Sequence, residues 1–465
     1  MVVSKQPMTS TRHPPRFHHT NITHLPDHLI SDILARLPTI SLFTSKFVCT
    51  LWYHLTSKDP HFPKLHFSKP HLEMLAQSKE ESALASVNWV HPEFDVFRGF
   101  GKQAHLKPRL QLPYTNCGLV SSCNGIVLCL HRQRYCDLGI ICNPLSGEYA
   151  LLPRCLKGVE KYERLEIDEE YDDYVIDSGY VSDHFNVYGF GYCGGSNCFK
   201  VLRIFSSVSS PGWMDSGSAM VLDVGSDSWR RIGDSPFCPS VGSVPVLVNG
   251  VLHWVCDVNN CPRFVVWFDF ESERFGEFGP PFGILKKFQK RKYRMTLGIL
   301  EGCLTLCDVL RTGKFDIWVM KKYGDLESWS KDFAVDTMVV DMFLQGRYRP
   351  MQVLSTGELL LFSLGNSRTY PKLVCYDPDD HEVRMLKLLC FARFELYHHS
   401  PTFISLKDLI PGDNLNVLNV KQGLATDGKW KSEAPYWIGN GGTWPGLFLL
   451  EHCVASVDNY RRLPD

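Results

Sequence analysis

From residue 123 onward one motif keeps returning: a turn glycine that leads straight into an apolar strand. It stands at Cys123-Asn124-Gly125-Ile126-Val127-Leu128, Val248-Asn249-Gly250-Val251-Leu252, Glu301-Gly302-Cys303-Leu304 and Thr356-Gly357-Glu358-Leu359-Leu360. Gly250 and Gly302 are 52 residues apart, and Gly302 and Gly357 are 55 apart. These spacings approach the ~40–50 residues of a four-stranded propeller unit. A second half-unit alternates with the first: an apolar strand, a polar turn and a further strand, at 140–152 through Asn143-Pro144-Leu145-Ser146-Gly147-Glu148, 221–232, 265–278, 315–333 and 373–385. A hairpin of this kind leaves one sheet face uncovered, and radial stacking covers it while leaving only short edges. The pattern therefore predicts a β-propeller-like domain over 111–407. Five or six units fit, because 187–232 lacks a clean glycine turn and only half a unit follows 385. A β-sandwich array is the other arrangement the pattern allows.

Ahead of that region, residues 25–52 read as two short apolar helices separated by Pro38. Pro26 suits a first helical position and Asp27 complements the helix dipole. Leu29, Ile33 and Leu37 recur every four residues with Ile30 and Leu34 beside them, a wide apolar stripe on about three turns. Ser41 is placed to cap a second helix carrying Phe43, Phe47, Leu51 and Leu55 in one row and Val48 and Trp52 in the next. Two rows of large apolar residues exceed what one neighbour covers. The pair either docks on the rest of the chain or presents an apolar face to a partner.

The 465 residues carry 49 basic and 50 acidic side chains, a balance that argues against nucleic-acid or membrane-surface binding by bulk charge. Seventeen scattered cysteines in a chain this large do not resemble a secreted disulfide scaffold, and point to a reducing compartment. No apolar run approaches the ~20 residues that span a bilayer, and the N-terminal segment has no signal-peptide core. The expectation is a soluble protein of the cytoplasm, the nucleus or both. Residues 1–21 read as a disordered leader and 68–110 as a connector, with a helix-compatible stretch at 71–85 and a leading strand.

Residues 22–67 resemble an F-box, the module that binds the Skp-type adaptor of cullin-based ubiquitin ligases. Leu25-Pro26, Leu29, Ile33-Leu34, Leu37-Pro38, Val48-Cys49, Trp52, Asp59-Pro60 and Phe62 carry the resemblance. The β region is similar to the F-box-associated domain common behind F-boxes in plant proteins. Its matching residues include Ser122-Cys123-Asn124-Gly125, Cys142-Asn143-Pro144-Leu145-Ser146-Gly147-Glu148-Tyr149, Gly189-Phe190-Gly191-Tyr192, Asp227-Ser228-Trp229-Arg230, Trp267-Phe268-Asp269-Phe270, Asp316-Ile317-Trp318 and Tyr376-Asp377-Pro378. The resemblance implies an α+β chain: a small helical F-box, then a mainly-β, propeller-like domain over 111–407 and an extension over 408–465. It implies a non-catalytic subunit that recognises a target protein with the β domain. Leu25, Pro26, Leu29, Ile33, Leu34, Leu37, Pro38, Val48 and Trp52 would dock the adaptor and, through it, a cullin. No nucleic acid, membrane, cofactor or metal enters this reading.

The competing patterns are weaker. Gly189-Phe190-Gly191-Tyr192-Cys193-Gly194 satisfies GxGxxG, but a strand-forming run, 199–204, follows where a nucleotide site needs a helix, so it reads as a glycine-rich hairpin. No CxxC pair starts a zinc ribbon, and His18-His19 and His398-His399 lack supporting ligands. Residues 160–183 hold ten Asp or Glu against Lys161 and Arg164 and read as a solvated insertion; Lys286-Lys287, Lys290-Arg291-Lys292 and Arg294 read as a loop. The rival function is a propeller-domain enzyme or small-ligand binder whose N-terminal hairpin packs on its own sheet. It needs convergent polar groups at a central channel, and the sequence shows no such cluster.

Overall fold

A computed structural model describes residues 25–37, 39–68, 73–78, 83–88, 103–112, 114, 117–131, 137–155, 184–207, 217–235, 244–255, 265–279, 281, 295–309, 315–335, 347–354, 356–364, 371–388, 394–410 and 415–419. The leader, Pro38, the acidic stretch 160–183, the basic cluster 286–294 and residues 420–465 lie outside the described residues. The chain divides into two compact units, Met1–Lys69 and Pro70–Asp465.

The first unit is helical: α1 (Asp27–Leu34), α2 (Thr39–Ser45), α3 (Thr50–Ser57) and α4 (Phe62–Phe67). Ile30, Leu34, Leu42 and Phe62 form its interior. The sequence predicts one continuous second helix from Ser41; the structure breaks it into α2 and α3. The hydroxyls of Thr44 and Ser45 donate to the carbonyls of Ser41 and Leu42, at 2.9 and 2.7 Å, and compete with the backbone in the last turn. The chain then turns through Lys46, Phe47 and Val48, and Cys49 is fully extended (φ −161°, ψ 165°) before α3 begins.

The second unit is a β-propeller. Its strands are β1 (Glu73–Ser78), β2 (Ala83–Asn88), β3 (Gln103–Gln111), β4 (Cys117–Cys123), β5 (Ile126–His131), β6 (Leu138–Asn143), β7 (Glu148–Leu151), β8 (His184–Cys193), β9 (Cys198–Ser207), β10 (Gly217–Asp223), β11 (Arg230–Ser235) and β12 (Val246–Val248). They continue with β13 (Val251–Val255), β14 (Val265–Asp269), β15 (Arg274–Phe278), β16 (Met295–Leu300), β17 (Cys303–Val309), β18 (Phe315–Met320), β19 (Trp329–Val335), β20 (Tyr348–Val353), β21 (Leu359–Ser363), β22 (Lys372–Tyr376), β23 (Val383–Leu388) and β24 (Phe394–His399). A short helix, α5 (Leu406–Leu409), and β25 (Leu418–Asn419) follow.

Counted as hydrogen-bonded sheets, the propeller has five blades among the described residues, and one of them is double. The double blade consists of two antiparallel meanders, β20-β21-β22-β23 and β24-β1-β2-β3, joined only where Lys387 and Leu388 run parallel to Gln103 and Ala104. Both counts left open by the sequence thus describe the same object, five sheets and six four-stranded meanders. Every meander buries both faces, and one core cluster lies between each successive pair, closing a ring. Strand alternation makes this possible: in β17, Leu304 and Leu306 face one neighbour while Cys307 and Val309 face the other.

The turn glycines join the first two strands of a meander. At Asn124-Gly125, Asn249-Gly250 and Glu301-Gly302 both central residues have positive φ, which is the hairpin turn whose twist matches the flanking strands. The polar turns join the third and fourth strands, as the repeat predicts.

One expectation changes and another gains detail. Within 71–85, read as helix-compatible, residues 73–78 form β1 and 83–85 begin β2. Met74 and Ala76 enter one core and Leu75 the next, so a strand buried on both faces is apolar at consecutive positions and carries no alternation to read. The stretch beyond 407, read as an extension that follows the β domain, is tied to it at two places among the described residues. Ile410 is buried, and Leu418 and Asn419 pair with Tyr149 and Glu148 as a fifth strand on the β4–β7 sheet.

Candidate functional site

The helical unit divides its apolar residues between two surfaces. Ile30 and Leu34 on α1 are fully buried, whereas Leu25, Leu29 and Ile33, one turn apart, are 37%, 44% and 38% exposed. The turn between α2 and α3 adds Phe47 and Val48, at 48% and 63%. Pro26 is exposed, and Leu37 and Trp52 are half-buried. The candidate adaptor residues therefore fall into groups: Leu25, Pro26, Leu29, Ile33 and Val48 at the surface, Leu37 and Trp52 partly covered, Leu34 in the interior, and Pro38 outside the described residues. Phe47 was not among them. The sequence placed it in an apolar row on a continuous second helix; in the structure it lies in the turn between α2 and α3. Beside it, burial pushes the Lys46 ammonium down to about 8.

In the propeller, the first strand of a meander and β24 lie nearest the axis. Residues of β4, β12, β16, β20 and β24, with Pro245, line a cavity of about 50 Å³ there: Val120, Ser121 and Ser122, Gly298 and Ile299, Arg349, Tyr397 and His398 among them. An inner strand has one unpaired edge, and side chains satisfy it. The Gln77 amide donates to Cys117 O and accepts from Leu119 N at 2.6 Å, and the Tyr397 hydroxyl oxygen lies 2.8 Å from Leu119 O. Thr296 ties β16 to Tyr348 O, and Arg349 ties β20 to Leu396 O. A bulge at Met351 in β20 leaves its carbonyl for His398 Nε2 at 2.6 Å, while Ser122 Oγ and His399 Nδ1 are 2.8 Å apart. Burial holds both His398 and His399 down to about 4, so both imidazoles are neutral at pH 7. Sequence reasoning missed this axial cluster. Its polar members sit in strands far apart in the chain, and only the closed ring assembles them.

The remaining motifs resolve into structure. The GxGxxG run is the β8–β9 hairpin, and its glycines allow two blades to approach: a Cβ at Gly189 would collide with Leu252, and one at Gly191 with Phe270. The described cysteines are free thiols, and burial pushes Cys117 and Cys123 up to about 12, so they pack as small apolar groups. Among the described residues no group of three or more His, Cys, Asp or Glu could hold a metal ion, and no helix is long and apolar enough to cross a membrane.

Two protein families match the chain in the same order as the two units. The F-box domain matches residues 22–64 and the F-box associated beta propeller domain matches residues 83–355. Among curated proteins it is similar to the F-box protein At3g07870 of Arabidopsis thaliana, 30% identical over 410 residues that cover 76% of this chain and 85% of that one. It is also similar to the putative F-box protein At3g17490 of the same plant, 26% identical over 67% of this chain and 74% of that one. Helices with an exposed apolar row, the propeller behind them and these two matches together place the chain in the family of F-box proteins that carry an F-box-associated β-propeller domain.

Proposed function

We propose that this protein is the substrate-receptor subunit of a Skp–cullin–F-box ubiquitin ligase, docking a Skp-type adaptor through the helical unit and a target protein through the propeller. One observation carries the reading. The apolar row Leu25, Leu29 and Ile33, extended by Phe47 and Val48, stays at the surface of a unit whose interior is already filled by Ile30, Leu34, Leu42 and Phe62. Each side chain of that row is 37–63% exposed, so covering it contributes roughly half of the ~1.5–3 kcal/mol of full burial, and the row together offsets part of the cost of association. Leu34 acts from within, holding α1 so that the row is presented. The protein then works as a tether: it raises the concentration of target lysines around a ubiquitin-loaded enzyme and forms no bond itself.

The rival reading, an enzyme or small-ligand binder, needs polar groups converging on the axis, and the folded chain has them. The cavity they line, about 50 Å³, has room for a few water-sized particles and none for a sugar or nucleotide, which favours the tether.

Co-expression with a Skp-type adaptor, followed by size-exclusion chromatography, tests the proposal. The intact chain is expected to co-elute with the adaptor, and a chain lacking residues 22–67 to elute alone. Leu29→Lys should weaken the adaptor by about 30-fold or more while leaving the thermal transition of the propeller unchanged. Adaptor binding by the deletion variant, or none by the intact chain, would defeat the reading.

A further inference from the structure

The axial cavity holds a charge that the tether does not use. Arg349 is 5% exposed and lines the cavity. Its guanidinium lies over two aromatic faces, 5.5 Å from the ring centroid of Phe362 and 5.6 Å from that of Tyr397. Nη2 donates to Leu396 O, but the buried Nε N–H has no hydrogen-bond partner among the described residues, and no described carboxylate forms an ion pair with Arg349. Glu395 acts on it through space only, and its carboxylate accepts the Tyr397 hydroxyl at 2.5 Å.

A guanidinium cannot shed its proton, so burial leaves a full positive charge that requires compensation. The other groups lining the cavity suit an anion. Ser121 Oγ donates to Phe190 O only at the long distance of 3.5 Å, so this hydroxyl can turn toward the cavity that Ser121 lines, while the Ser122 hydroxyl is paired with His399 Nδ1 at 2.8 Å. The neighbouring imidazoles of His398 and His399 are neutral, and among the described residues Arg349 is the one charged side chain lining the cavity, so the site is matched to a single charge. Its size admits a few water-sized particles.

We propose that the propeller axis is a binding site for one small monovalent inorganic anion, of which chloride is the type, with Arg349 as its principal ligand. Bound there, the anion compensates the guanidinium and ties together inner strands β4, β20 and β24, which come from both ends of the propeller. It acts as a structural ligand of the ring, independent of adaptor and target binding.

The test uses the full chain. Thermal unfolding is followed in sodium chloride, bromide or nitrate against sodium gluconate at matched ionic strength. The expected result is a saturating rise in Tm of a few degrees at millimolar halide and none with gluconate. The variant Arg349→Met, which keeps the apolar stem and removes the charge, should lose the halide dependence. Crystals grown in bromide give a measurement that does not depend on the variant folding: an anomalous peak is expected in the cavity, within hydrogen-bonding distance of the Arg349 guanidinium. Identical melting in all salts, saturation only at molar halide, or no anomalous peak beside Arg349 would each overturn the proposal.

Discussion

Asn143 is fully buried at the end of β6, and its amide ties three stretches of chain together. Nδ2 donates to the carbonyls of Thr402 and Ile404, at 3.1 and 3.0 Å, and Oδ1 accepts from Leu145 N at 2.9 Å. Five residues on, Glu148 receives the Ser405 hydroxyl at 2.8 Å and Leu406 N at 2.7 Å. The sequence marked 143–148 as a polar hairpin turn, and that much is correct. What it did not disclose is that the turn's side chains clasp a segment some 260 residues later, because a side chain that bonds distant backbone leaves no local pattern. Replacing Asn143 by Ala should cost roughly 2–4 kcal/mol, since it orphans two buried carbonyls and an amide. Asn143→Asp should cost more, as a carboxylate would then face both carbonyls. The urea midpoint at constant m-value measures both.

At the scale of elements, legibility followed solvent. Hairpins with one distinctive turn were read correctly. Strand β1, buried on both faces, was mistaken for helix-compatible sequence, and α1 showed its apolar stripe without showing which half of it would stay at the surface. Three histidines of the propeller carry a further property. Burial holds His253 on β13 and His398 and His399 on β24 down to about 4, against about 6.5 in the unfolded chain. Between these values the unfolded chain binds more protons. Stability from these groups is complete above pH 6.5 and is lost as pH falls through that window, by on the order of 3 kcal/mol for each imidazole. Tm should therefore fall steeply between pH 6.5 and 5, and His398→Gln should make that slope shallower by one proton's worth. An unchanged slope would mean that His398 is protonated in the native protein.

At the scale of the molecule, the ring is closed by pairing its two ends. β1 lies antiparallel to β24 from Glu73–His399 to Ser78–Phe394, so one meander takes three strands from the start of the propeller and its axial strand from the end. The glycine repeat made the ring legible. The closure was not, because β1 to β3 fall outside that repeat and β24 is a lone strand after it. A chain ending at residue 388 should lose the cooperative transition and self-associate through the bared edge of β1. A synthetic peptide of residues 391–419, added in trans, should restore a single thermal transition, and calorimetry and light scattering read both effects.

That closure also orders events in time. A ribosome releases the helical unit and β1 long before β24, so throughout synthesis the first propeller strand waits with an open edge for the last one. The helices can form at once, whereas the propeller can be finished only after His399 has emerged. A stalled or truncated product would thus combine a finished helical unit, its apolar row exposed, with an unfinished ring, and under the proposed function its own lysines would be the ones nearest the ubiquitin-loaded enzyme.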